Sequence, residues 1–447
     1  MFLKLGKSRF AGLSVLFWIF PVSGWSQQFT KADRAFAQEM LRESAADVQK
    51  HYYDAKLHDL DWDAKVRQAK QNIDNSDSLN AALSEIAALL DSLNDSHTFF
   101  VPPPRTYDHD YGFMMQVIGD HCYVTRVHSG SDADTKGLKP GDEITAVNDH
   151  PVTRKTAWRI HYIYDVLRPQ PGLLLTLRGA GGSERKLEVL AKFQTSTDIK
   201  YFRQQGINVF LRDMDKEDHL LRARYFEKGD DFLAVRIPMF AFSAGEVDNI
   251  IGKMRKHKGV VLDLRGNPGG YTVTLDRLLG GMFQNDLKIL DHVARDSSSS
   301  VSATGRHHDA FVGKFAVLID SESASASELF ARVIQLERRG FVLGDRSEGS
   351  VMEAKHYRHE AYLDSGVFYG SSVTIADLRM TDGKSLEHEG VEPDFQVLPT
   401  PADLASGSDP AMAKAAGLVG SKFSPQEAGA MFAYEEPMSP ELIAGGR

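Results

Sequence analysis

Cysteine is nearly absent from this sequence: Cys122 is the one such residue among 447. A single thiol excludes an internal disulfide framework and any zinc cage built from cysteines. Positive charge is in deficit, with 52 Lys and Arg against 61 Asp and Glu and a formal charge of −9. With no basic arm or tail, nucleic-acid binding is disfavoured as the main function. Long apolar runs are scarce. The run from Phe10 to Val22 falls short of the ~20 residues that span a bilayer, and no second run of spanning length follows. Three common signatures are also missing: the G-x-S-x-G elbow of α/β-hydrolase esterases, a Walker loop and a G-x-G-x-x-G turn.

What is present describes a soluble, multidomain chain. A composition of 42% hydrophobic and 25% charged residues supplies a real core, and at about 150 residues per domain the length suggests about three domains. Lys4, Lys7 and Arg9 precede the apolar run, and Ser23, Gly24 and Ser26 follow it. A charged start, a short apolar stretch and a small-residue exit form a secretory signal peptide over 1–26. Cys122 is too far away to be a lipid-attachment cysteine. The expectation is a periplasmic or secreted protein starting near Gln27, with no stable membrane span once the leader is removed.

Leu79, Leu83, Ile86, Leu90 and Leu93 recur at steps of four and three, one face of a helix with Asp77 or Ser78 as N-cap. The pattern predicts a helical N-terminal domain over 27–104, closed by the polar loop Asn94–Thr98 and by Pro102-Pro103-Pro104, which prevents a restart. Over 105–195, short β-rich runs (Met114–Ile118, Cys122–Val127, Ile144–Val147) alternate with turn residues, and a helix-compatible stretch covers Thr153–Leu167. Leu173–Arg178 and Arg185–Leu190 flank a glycine turn and read as a hairpin. Over 196–400, strands Phe232–Ile237, Val260–Leu264 and Phe315–Ile319 alternate with helical stripes, which predicts an α/β domain with a parallel core. The tail, 401–447, is rich in small residues without a strong period and reads as partly loose.

Two turns could carry chemistry. Phe315–Ile319 runs into Asp320-Ser321-Glu322-Ser323-Ala324-Ser325-Ala326-Ser327-Glu328. A serine at a strand-to-helix turn sits among unpaired N–H groups at the positive end of the helix dipole, which suits a nucleophile that generates an oxyanion. Serine is equally an ordinary cap, and Ser323 or Ser325 with Glu328 would make a capping box; the residues alone leave both open. Gly266-Asn267-Pro268-Gly269-Gly270, directly after a buried strand, lets backbone approach a ligand, or is a plain turn. His356, His359 and Glu360 fit neither zinc-protease spacing and read as solvated surface groups, so neither metal nor organic cofactor is expected.

Together these segments resemble a known family. Asp263-Leu264-Arg265-Gly266-Asn267-Pro268-Gly269-Gly270, the run Ser323–Glu328, the later Glu387-His388-Glu389-Gly390-Val391-Glu392-Pro393-Asp394 and the early Leu93-Asn94-Asp95-Ser96-His97-Thr98 are similar, in this order, to the carboxyl-terminal processing (tail-specific) and tricorn-core serine peptidases. The middle module resembles a PDZ domain, through Gly137-Leu138-Lys139-Pro140-Gly141-Asp142-Glu143-Ile144.

The resemblance implies an α/β catalytic domain with a ClpP/crotonase-like core, beside a β-rich PDZ domain. It also implies Ser325 as nucleophile, with oxyanion N–H groups from Gly269, Gly270 and Ala326. In the PDZ module it implies a loop, Tyr111-Gly112-Phe113-Met114, that holds a peptide's terminal carboxylate by strand addition. The lysine-using branch places its base where Ser350 stands here, and Lys355 is the nearest lysine downstream. The tricorn-like branch implies His97 as base, backed by Ser96 and by Glu387, with Glu389 or Asp382 as alternatives to the last. The expected activity is hydrolysis of polypeptides taken by their free C-termini. The rival readings are a non-catalytic peptide-binding scaffold and a hydrolase of a non-peptide ester.

Overall fold

The computed structural model describes residues 29–105, 107–179, 182–195, 222–362 and 366–432. The expected leader and the first part of the expected catalytic domain, 196–221, lie outside the described residues.

Among the described residues three α-helices come first: α1 (Lys31–His51), α2 (Trp62–Asn75) and α3 (Leu79–Asp91). Ser78, not Asp77, caps α3, its hydroxyl accepting the Ala81 N–H at 3.3 Å. The apolar stripe of α3 is buried as its spacing requires, but its core is shared. Phe100 from the strand that follows, Tyr369 and Val373 from a distant strand, and Tyr162 and Leu167 from the β-rich module pack into the same cluster. The helices therefore do not form a self-contained unit.

Strand β1 (Phe99–Val101) leads into the module. β2 (Tyr107–Asp110) pairs antiparallel with β9 (Lys192–Thr195) across its neck. Between them β3 (Phe113–Ile118), β4 (His121–Val127), β5 (Glu143–Val147), β7 (Gly172–Arg178) and β8 (Glu184–Leu190) lie in that order, with the two-residue β6 (His150–Pro151) on β5. β3 is thus an edge strand. The stretch read as one helix is a short α-helix, Ala157–His161, that widens into a π-helical turn over Tyr162–Leu167. Such widened turns concentrate at functional places.

The α/β region has two sheets. β11 (Phe232–Arg236), β12 (Gly259–Asp263), β15 (Lys314–Ile319), β16 (Phe341–Gly344) and β19 (Phe395–Gln396) run parallel, with β10 (Arg224–Lys228) antiparallel at one edge. Every residue of β12 is buried, as a strand covered on both faces must be. The helices Ala244–Met254, Thr272–Gly280 and Ala326–Leu336 cover one face. The second sheet joins β13 (Leu287–Ala294) and β14 (Ser298–Ala303) to a long hairpin, β17 (Met352–Tyr362) and β18 (Gly366–Met380), with β1 on β18.

Up to residue 432 the tail is packed where the sequence reading expected partial looseness, and 433–447 lies outside the described residues. Helices Pro401–Ser406, Pro410–Leu418 and Pro425–Gly429 follow Thr400, the ion-paired Asp409 and Ser424 as caps. Ala411, Met412, Ala415 and Ala416 cover the second face of the parallel sheet. The small residues that looked like looseness allow close approach: a Cβ on Gly429 would stand 1.8 Å from the Gly407 carbonyl oxygen. Three cap-plus-proline starts were the available signal.

Candidate active site

The loops after β12, β15 and β16 leave the same, C-terminal end of the parallel sheet, where open α/β sheets place their sites. The Asp320–Ser325 turn packs on Gly266–Gly270: Asp320 Oδ1 accepts the Gly266 N–H at 2.9 Å, and Asn267 O accepts the Ala324 N–H at 3.0 Å. Four serines compete for a role here, and the fold separates them. Ser323 Oγ donates to Leu264 O at 2.8 Å and Ser327 Oγ to Asn267 O at 2.9 Å. Ser321 Oγ donates to Val117 O of β3. Ser325 differs in its backbone, with φ 55° and ψ −117° at the first turn of the Ala326–Leu336 helix. A non-glycine residue held at positive φ on a strand-to-helix turn is the strained geometry of an exposed nucleophile.

The glycines explain how that turn fits. A Cβ on Gly269, which has φ 96°, would lie 2.6 Å from Ser325 Cβ and 3.0 Å from the Ala326 N. The expectation that Gly269 supplies an oxyanion donor is corrected, because its N–H is spent on Asn267 Oδ1 at 2.8 Å. Asn267 is fully buried and its Nδ2 donates to Ile237 O, which locks the loop. Among the described residues, the N–H groups of Gly270 and Ala326 donate to no protein acceptor, so these two stay uncommitted.

Asp95 shapes the loop after α3, accepting the N–H groups of His97 at 2.9 Å and Thr98 at 2.8 Å and the Thr374 hydroxyl at 2.6 Å. This pins the loop to β18 and brings Ser96 and His97 to Glu387, 290 and more residues away. Glu387 Oε1 accepts the Ser96 N–H at 2.7 Å, and Oε2 accepts Ser96 Oγ at 2.8 Å and the Val351 N–H at 2.8 Å. Ser96 Oγ also lies 2.7 Å from His97 Nδ1. One hydroxyl has one proton, and an ionised carboxylate only accepts, so Ser96 donates to Glu387. His97 Nδ1–H must then donate to Ser96, which leaves Nε2 as the basic nitrogen. Burial lowers the His97 pKa, against the opposing pull of Glu387 and Asp95, and keeps the ring neutral near pH 7. Of the alternatives for the acid, Asp382 lies elsewhere, paired with Arg332 at 2.6 Å.

No hydrogen bond joins Ser325 to His97 among the described residues. The halves meet through the loop after β16: Ser325 N–H donates to Ser350 O at 2.8 Å, and the next residue, Val351, donates to Glu387. Ser350 thus stands beside Ser325, where no lysine is available. Lys355 is exposed on β17 with its Nζ 5.6 Å from the Tyr357 ring centre.

The residue that sequence reasoning undervalued is Glu328, read as a cap. It is fully buried and its carboxylate accepts from Ser325, Gly349 and Ser350 N–H and from Ser347 Oγ. Desolvation pushes it up to about 7 against the lowering effect of these four donors. The His356, His359 and Glu360 group falls apart on the strand. His359 Nε2 bonds Asp47 at 2.7 Å, while His356 is exposed on the strand. No cluster that could hold a metal occurs among the described residues.

In the β-rich module, Tyr111 is buried, with its hydroxyl donating to Tyr164 O at 3.1 Å and accepting the Gln170 N–H at 2.9 Å, so it supports the loop from behind. The Gly112 N–H donates to Asp110 Oδ1 at 2.8 Å, and Asp110 Oδ2 lies 2.9 Å from His128 Nδ1. An internal carboxylate therefore already occupies one donor of the expected carboxylate-binding loop. Phe113 starts the edge strand, and Met114 is exposed on it. The module touches the site directly: Gln116 Nε2 donates to Asp320 at 2.7 Å and Arg154 pairs with Asp345 at 2.6 Å.

Comparison with known proteins gives this geometry a family. Residues 231–397 match the family model Peptidase family S41, and residues 104–159 match the PDZ domain. The "Tail-specific protease" of Haemophilus influenzae is 24% identical over 325 residues, 67% of this chain and 43% of that protein. "Carboxyl-terminal-processing peptidase 3, chloroplastic" of Arabidopsis thaliana is 23% identical over 403 residues, 84% of this chain and 71% of that protein. The chain spans about half the length of the first curated relatives, 43% and, for the "Probable CtpA-like serine protease" of Staphylococcus haemolyticus, 52%. Among solved structures, mature CPAF aligns with a TM-score of 0.63 at 15% identity, over 84% of this chain and 94% of that one. The photosystem II D1 C-terminal processing protease gives 0.50 at 18%, over 82% and 93%. These structures share the fold. The chain carries a Peptidase family S41 region preceded by a PDZ domain.

Proposed function

We propose that this chain, an S41 region with a PDZ domain ahead of it, is a serine endopeptidase that cleaves by acyl transfer through Ser325. The observation that carries the reading is the strained Ser325 beside two uncommitted N–H groups, with an imidazole whose Nε2 is left basic. In the reaction, His97 Nε2 takes the Ser325 hydroxyl proton as Oγ adds to the scissile carbonyl. The oxyanion meets the N–H groups of Gly270 and Ala326. The imidazolium is steadied through Ser96 by Glu387, then gives its proton to the leaving amine, and water attacks the acyl-enzyme by the same route in reverse. The parallel βα core supports a ClpP/crotonase-like reading of this half. A fluorophosphonate probe should label the wild type at Ser325, and Ser325→Ala should abolish labelling and peptide turnover together. Persistent labelling of Ser325→Ala would remove this serine from the mechanism. Turnover of nitrophenyl esters without any cleavage of casein or peptides would favour an esterase.

Substrates in this reading are polypeptides, bound by their C-termini along the β3 edge. A free terminal carboxylate accepts charge-assisted bonds worth about 1.5–3 kcal/mol, so peptides with free C-termini should bind more than about tenfold better than amidated copies. Asp110→Ala should widen that ratio by releasing the Gly112 N–H. Equal affinity for both peptide forms would remove tail recognition. The basic start and the short apolar run support export to the periplasm or medium. N-terminal sequencing of protein from a secreting host should read a start near Gln27, and an intact Met1 would count against export.

A further inference from the structure

Glu328 does more than cap its helix. An ordinary capping box ends with the glutamate at the third helical position reaching back to the cap N–H, and Glu328 Oε2 does accept the Ser325 N–H at 2.9 Å, in a three-centre bond that this N–H shares with Ser350 O at 2.8 Å. The same oxygen also accepts the Ser350 N–H at 2.9 Å, from a loop 22 residues onward. Oε1 accepts the Gly349 N–H at 2.8 Å and the Ser347 hydroxyl at 2.6 Å. Four donors fill the acceptor capacity of one carboxylate. The next N–H along that loop, Val351, points to the other carboxylate, Glu387, which holds Ser96 behind His97.

Consecutive N–H groups of one short segment are therefore shared between two acids, one buried and one half-buried. Gly349 and Ser350 belong to the acid on the nucleophile's side, and Val351 belongs to the acid on the histidine's side. The segment has little freedom to drift. Gly349 has φ 81°, and a Cβ there would stand 3.0 Å from the Gly390 N and the His388 carbonyl carbon. The His388 N–H bonds Gly349 O at 2.7 Å, and Ser347 Oγ accepts the Val391 N–H at 2.6 Å.

We propose that Glu328 is a positioning residue that sets the register between the nucleophile and the histidine: by gripping Ser325 and the 347–350 loop at once, it fixes where Val351 meets Glu387, and so where His97 stands relative to Ser325. The proposal rests on the peptidase reading for its consequence, and on the hydrogen bonds alone for its structural content. An amide in place of the carboxylate turns one acceptor into a donor, which must face two of the four donors and push them apart. Misplacement of reacting groups by about 1 Å costs on the order of 100-fold in rate.

Two measurements on Glu328→Gln test it. Hydrogen exchange followed by mass spectrometry should show peptides covering 94–98 and 385–391, which Glu328 does not touch, exchanging at least about tenfold faster than in the wild type. Steady-state kinetics, normalised to the folded protein, should show kcat down by about 100-fold with KM within about threefold, the pattern of a lost transition-state geometry. Glu328→Asp keeps the charge and should fall between the two in both measurements. It also takes over the test if the glutamine variant does not fold. Wild-type exchange in 94–98, or an undiminished kcat in a folded variant, would overturn the proposal. Failure of the wild type to label at Ser325 would instead sink the peptidase reading and leave the exchange result readable.

Discussion

His97→Ala lowers kcat by about four orders of magnitude or more and leaves the protein folded, because Ser325 loses its proton acceptor while the loop scaffold stays intact. That scaffold belongs to Asp95, whose bonds reach the backbone of His97 and Thr98 and the hydroxyls of Thr98 and Thr374, none of which needs the imidazole. Glu387→Gln gives a smaller loss, since the base remains but its orienting chain through Ser96 is broken. Lys355→Ala is nearly silent, because that side chain lies exposed over Tyr357. The pH profile follows from the imidazole. The base works when neutral, so kcat/KM is full above the His97 pKa and falls as pH drops through it. Burial lowers that pKa, so the acid limb lies below the ordinary histidine value of about 6.5. If Lys355→Ala abolished turnover and His97→Ala retained it, a Ser–Lys dyad would replace this assignment.

Arg265→Ala destabilises the catalytic region by about 3–5 kcal/mol, the cost of leaving a buried partner charge unpaired. Arg265 directly precedes the glycine loop and holds Asp263 through two bonds, Nε to Oδ1 at 2.8 Å and Nη2 to Oδ2 at 2.9 Å. Its outer edge holds both oxygens of Asp409, at 3.1 and 2.7 Å. Asp263 is fully buried. Burial pushes its carboxyl up, but Arg265 and then Arg236 more than offset this and hold it low. The folded value is the depressed one, so the stabilisation is present above the unfolded carboxylate value near 3.9 and fades as pH falls through the folded value. Asp409 caps the Pro410–Leu418 helix, so the same substitution loosens the helices behind the sheet. Thermal unfolding at pH 7 should show a midpoint lower by about 10 °C. A shift under 2 °C would mean that solvent reaches Asp263 and that the network adds little.

Local chemistry was legible where one element or one turn decides it. The spacing of Leu83, Ile86 and Leu90, the buried runs of β12 and β15, and the antiparallel pairing of β7 with β8 each depend on near neighbours, and each appears where the pattern placed it. The serine run could be located but not resolved, because a capping serine and a nucleophilic serine are the same residue at the same kind of turn. What separates Ser325 from Ser323 and Ser327 is a positive φ on one side and, on the other, hydroxyls satisfied by carbonyls of a neighbouring loop. Gly269 was misread for a similar reason: nothing in a glycine pair says which N–H an asparagine two residues earlier will take.

The composition of the tail hid its packing, since alanines that look weakly hydrophobic in a window are the ones small enough to lie against a sheet. The longest-range facts were beyond any pattern. His97, Glu328, Ser350 and Glu387 lie on four segments spread over nearly 300 residues, and only the convergence of three loops at one sheet end, with the 94–98 loop pinned to β18, makes them neighbours. By itself the sequence determined which chemical groups are available, a serine turn, a histidine and two acids without a suitably placed lysine. Which nitrogen of His97 is basic, which N–H groups stay uncommitted and which acid holds which loop were decided by tertiary structure, because each depends on a hydrogen-bond partner that no local interaction selects.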